Sequence, residues 1–132
     1  MISINNKIYE NVDKKVLCGQ FSATKEVGDN VVDVTAEAPI IKFNVDDSIL
    51  IGVETTYPKE CFDELKIGTK IDFTKHISDI TYEDTNGWQS LIIGKYECEL
   101  LKTNENTYNI KLNVKSDEFE EIEISIDEEI NI

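Results

Sequence analysis

Four acids near the end of the chain, Glu121, Glu123, Asp127 and Glu129, stand at odd positions among Ile122, Ile124, Ile126, Ile130 and Ile132 at even ones. In a strand, successive side chains point to opposite faces, so this pattern makes one apolar face and one ladder of carboxylates. Residues on one face repeat at about 6.8 Å. A row of that kind could imitate the phosphates of a nucleic-acid strand and occupy a basic groove on another protein. The plainer reading is protective: charges on an edge or surface strand keep it from pairing with other chains. Residues 117–132 hold eight acids and no base, and so carry −8 of the net −14.

Other residues with chemical potential are few. The single histidine, His76, would need a nucleophile and an orienting carboxylate to act as a base. No nucleophile motif such as G-x-S-x-G accompanies it, and it reads as an exposed histidine at a strand end. The six glycines form neither a G-x-G-x-x-G nor a Walker-type loop, so the sequence gives a nucleotide no cradle. The run Asp84-Thr85-Asn86-Gly87 is similar to the start of a calcium loop, but the position that should carry a bidentate Glu is Lys95. The sequence therefore implies no cofactor, no metal and no catalytic set. Trp88, directly after the Asn86-Gly87 turn, is either a ligand platform at a loop tip or, on the preferred reading, a cross-strand anchor folded over its hairpin. Cys18, Cys61 and Cys98 are too widely spaced for a zinc motif and odd in number. Cys98 falls in step with Ile92, Tyr96 and Leu100 and should be a small core residue.

These groups must be positioned by strands. Turn residues recur about every ten positions: Asn5-Asn6, Gly28-Asp29-Asn30, Asp46-Asp47-Ser48, Asn86-Gly87, Asn104-Glu105-Asn106 and Ser116-Asp117-Glu118. Pro39 is expected to break the chain between Val31–Glu37 and Ile40–Val45. Period-2 alternation is clear in Ile41, Phe43 and Val45, in Ile49, Ile51, Val53 and Tyr57, in Ile67, Ile71 and Phe73, and in Tyr108, Ile110, Leu112 and Val114. Leu91–Leu101 reads as one longer strand. Pro58, with acids after it and Gly68 as a stop, predicts a helix of about two turns over 58–66. The expectation is a single all-β domain over residues 1–132, mainly antiparallel, built as a sandwich or partly open barrel.

Composition bounds the function. All thirteen bases are Lys, which lack the planar fork that reads phosphates and guanine edges, and the chain has no basic footprint. Direct nucleic-acid binding is not expected, nor is a membrane span. Nineteen Ile and eleven Asn beside an absence of Arg are the bias of an AT-rich coding sequence, as in a low-GC bacterium or a phage or mobile element living in one. Unpaired cysteines and the lack of an apolar leader suit the cytoplasm, or a virion assembled there. Three function classes follow. The first is a non-enzymatic interaction or assembly module whose partner is another protein. The second is an acidic inhibitor or immunity protein that blocks a basic site by charge mimicry through Glu121, Glu123, Asp127 and Glu129; Trp88 is a further candidate for contact with a partner. The third is an enzyme or small-ligand carrier without a recognisable motif.

Overall fold

The computed structural model describes residues 1–116 and 121–132. The turn expected at Ser116-Asp117-Glu118 lies largely outside those residues. Among the described residues eleven strands form two antiparallel sheets, as the alternation requires. One sheet has six strands in the order β2 (Lys7–Tyr9), β1 (Ile2–Ile4), β11 (Ile122–Asn131), β10 (Thr107–Ser116), β9 (Lys95–Lys102), β6 (Lys70–Asp72). The other has five: β3 (Val12–Val27), β4 (Asn30–Val45), β5 (Ile49–Thr55), β7 (Ile77–Asp84), β8 (Gly87–Ser90). Neither sheet closes on itself, so the architecture is a sandwich rather than a barrel.

The core lies between the sheets. Ile41, Phe43, Val45, Ile51, Val53 and Ile80 meet Ile110, Leu112, Ile124 and Ile126, all essentially excluded from water. Burying each such side chain contributes about 1.5–3 kcal/mol. In β10 the alternation works without exception: Tyr108, Ile110, Leu112 and Val114 are buried, while Lys111, Asn113 and Lys115 between them are exposed. Among the described residues no helix is long and apolar enough to cross a membrane.

Several local expectations are corrected. Pro39 does not end a strand; β4 runs through it to Val45. Pairing with β5 begins only at Ile40, so Pro39 stands where β4 has one neighbour, and its missing N–H removes nothing from the sheet. The long strand expected over Leu91–Leu101 is shortened at its start, because β8 ends at Ser90 and β9 starts only at Lys95. The turn between them resets the parity, so that Leu91 is buried and Ile92 only partly. Gly94 closes that turn where a Cβ would come within 2.4 Å of the Lys115 carbonyl oxygen, a close approach open only to glycine. The helix α1 spans Lys59–Asp63 rather than 58–66, with Pro58 at its N-cap and no capping side chain. It is held instead by Phe62 in the core, by the Tyr108 hydroxyl donating to the Phe62 carbonyl (3.3 Å), and by buried Lys102 donating to the Leu65 carbonyl (2.8 Å). Ile67, expected to share a face with Phe73, is 64% exposed in the turn after the helix.

Candidate functional site

The acidic strand is built as its alternation demands. Ile122, Ile124, Ile126 and Ile130 are buried; Glu121, Glu123, Asp127 and Glu129 are exposed on the outer face. Of the two placements expected, an edge strand or a surface strand, it takes the second. β11 lies between β1 and β10, so it is an interior strand and its acids do not guard an edge. Pairing with β10 also puts lysines beside the carboxylates: Lys115 stands opposite Glu123 and Lys111 opposite Asp127. Lys115 reaches Glu121 at 3.8 Å, and the Asn109 amide donates to Asp127 at 2.9 Å. The mixing continues outward, with Lys95, Glu97 and Glu99 on β9 and Lys70 pairing with Glu99 at 3.3 Å. This face is a checkerboard of solvated charges rather than an unbroken anionic rail, and exposed pairs of this kind contribute little stability.

One acid breaks the pattern. Glu128 has the inward parity, opposite fully buried Ile110, and its side chain is only 11% exposed. At the margin of the sandwich it accepts hydrogen bonds from the amino group of Met1 and from Lys14 of β3 (3.3 Å). Lys14 likewise faces inward on its own sheet, opposite Phe43. Two cations thus meet one carboxylate between the sheets, and the pair links β11 to β3. The sequence offers a clue: within β11, Glu128 is the acid that falls on the isoleucine parity.

Trp88 belongs to β8, an edge strand of the other sheet, and is not brought together with the acidic row. It stands opposite Glu83 and is 62% exposed, so the anchor role expected for it is not realised. Its turn is built as the sequence implied: the Asp84 carboxylate accepts from the Asn86 N–H (2.8 Å), and Gly87 adopts φ +133°. His76 stands directly before β7, at the strand end expected, but it is half-buried rather than exposed. It ends a single 3-10 turn (Thr74–His76), and its ring packs on Tyr57 at 4.9 Å and Phe73 at 5.5 Å. Burial, then neighbouring Lys75, lower its pKa, with Asp72 opposing. Among the described residues its imidazole makes ring contacts and no hydrogen bond to a hydroxyl or thiol. Cys98 is buried as expected, and burial followed by the charges of Asp72 and Glu99 pushes its thiol up to about 12. Cys61 is half-buried and Cys18 exposed.

The feature that sequence reasoning missed is the hairpin of β3 and β4. Both strands have sixteen residues and pair from Val12↔Val45 to Val27↔Asn30. Only Ile40–Val45 has β5 as a second neighbour, so the rest is a two-stranded arm of about 30 Å. Its faces differ. Leu17, Gly19, Phe21 and Ala23 stand opposite Ile40, Ala38, Ala36 and Val34, while the other face carries Cys18, Gln20, Ser22 and Thr24. The helix α1 leans against β4, and a cleft between them is lined by Lys25, Val34, Ala36, Pro58, Lys59 and Glu60. Toward the tip, Val27, Val31 and Val32 are exposed, Val31 at 67%. A signal was available: the apolar positions of β4 are even from Val32 to Ile40 and odd from Ile41 to Val45. That switch means the strand serves two different faces.

No family model, curated protein or solved structure matches the chain.

Proposed function

We propose that this protein is a non-enzymatic interaction or assembly module that works through its surface, with the β3–β4 arm as the contact element and another protein as the partner. The observation that carries this reading is the arm itself. Fixing the backbone costs roughly 1–2 kcal/mol per residue, and a two-stranded ribbon in water is marginal on its own. Here a hairpin extends past the sandwich and ends in exposed valines. Such a segment gains its burial when a second molecule covers it. The Ile, Asn and Lys bias is in keeping with a phage or mobile element of a low-GC bacterium.

Charge mimicry has less support, because Lys111 and Lys115 stand directly opposite Asp127 and Glu123. Catalysis by His76 has less still, since its ring contacts are aromatic. The test is a photo-crosslinking residue placed either at Val32 on the arm or at Glu123 on the acidic face, in cells of the native host. Crosslinks to protein from position 32, with few from 123, are expected. The reverse pattern would favour the acidic face as the binding surface, and silence from both positions would remove the interaction reading.

A further inference from the structure

A sheet edge presents unpaired backbone N–H and C=O groups, and folded proteins usually shorten, charge or cover such edges. Three of the four edges here follow that rule: β2 and β6 have three residues each and β8 has four. The fourth is β3, sixteen residues long and, among the described residues, paired only with β4. From Val16 to Thr24 it contains no charge and no proline. The helix α1 leans on the β4 side, and Cys18, Gln20, Ser22 and Thr24 are exposed along the strand.

We infer that this edge pairs antiparallel with β3 of a second copy of the chain, about a two-fold axis passing near Gln20. The inference rests on the interaction reading above and names its partner. Three observations select a second copy. With Gln20 opposite itself, the apolar parity is kept: Leu17 faces Ala23 and Phe21 faces Gly19, so each large side chain meets a small one. Gly19 already accommodates the Ile40 side chain at the position a Cβ would take, and an aromatic across the new seam would pack over this half-buried glycine. The same register puts Lys14 opposite Glu26 but Lys15 opposite Lys25, so charge pairing along the seam is balanced and does not select it. The strand's charge also fits: Lys14, Lys15 and Lys25 against Asp13 and Glu26 give +1 in a chain of −14. Two acidic copies therefore repel each other least along this strand. The contact is isologous and closes as a dimer, joining the two five-stranded sheets into one.

The full chain should then sediment at twice 15.0 kDa. Gln20→Lys and Gln20→Glu each put like charges face to face at the axis on an exposed side chain, and each should weaken the dimer by about tenfold. Mixing the two variants should restore it. In this register Cys18 lies opposite Ser22 of the other copy, at the Cα separation a disulfide accepts. Ser22→Cys should therefore form a covalent dimer on mild oxidation, whereas the wild-type chain should not. A mass of 15.0 kDa up to about 1 mM overturns the inference. So does a dimer that ignores both Gln20 variants and does not crosslink through Ser22→Cys. If the chain is monomeric while position 32 still crosslinks to another protein, the second copy is wrong and the interaction module stands. If position 32 is silent too, both fall.

Discussion

The two long surfaces of this molecule handle exposure in opposite ways. The outer face of the six-stranded sheet is crowded with charge, but its acids are interleaved with Lys95, Lys111 and Lys115, and its flanking strands β2 and β6 are short. The β3–β4 arm carries little charge in its middle, exposes valines at its tip and leaves a sixteen-residue edge open. The first surface is complete within one chain. The second is not, and net charge alone would have pointed to the wrong one. A polarised composition marks where solvation is strong, whereas an open edge and an uncovered apolar end mark where a partner is still needed.

Changes that separate the two regions should differ in size. Leu112→Ala, deep under the six-stranded sheet, should cost about 2–5 kcal/mol in urea unfolding. Val32→Ala on the arm should stay within about 0.5 kcal/mol, because that side chain is exposed in the single chain. Equal losses at the two positions would mean that the arm is part of the core.

Glu128→Gln comes next. It removes the carboxylate shared by the Met1 amino group and Lys14, and should destabilise by about 1 kcal/mol. Glu129→Gln, one residue along and exposed, should be neutral by the same measurement.

The thiols give a pH-dependent contrast. Cys98 rises from 9.0 to about 12 because burial disfavours its thiolate. Since the folded pKa lies above the unfolded one, the contribution is fully present below pH 9 and is lost as pH rises toward 12. At pH 8 a thiol reagent should label Cys18 on the arm first and Cys98 only after denaturant is added.

The smallest effect is expected from replacing Glu121, Glu123 and Glu129 by Gln and Asp127 by Asn together. Stability should change by no more than about 0.5 kcal/mol, and crosslinking from position 32 should persist at every salt concentration. Loss of a basic partner in this variant alone would transfer the binding role to the acidic face.

Much of the fold was legible because one-sided burial writes itself into strand parity. β10 and the buried half of β11 follow directly from Tyr108–Val114 and Ile122–Ile130. What parity does not contain is pairing order. The eight acids of residues 117–132 suited an edge or a surface strand alike, and only the partners β1 and β10 make β11 an interior strand. The arm was hidden because Gly19, Ala23, Ala36 and Ala38 blur the alternation and Pro39 imitates a break, although Pro39 costs nothing where β4 has a single neighbour. Trp88 and His76 were each placed in the right turn or strand end but given the wrong surroundings, since both depend on contacts distant in sequence.

The most direct test of the arm as the contact surface is amide hydrogen exchange, resolved by segment, on the free chain and on its assembled form. Protection should rise across Val16–Thr24 of β3 on assembly, while β10 and β11 keep the protection they already have. Added protection in β11 with an unchanged arm would contradict the account and return the binding role to the acidic face.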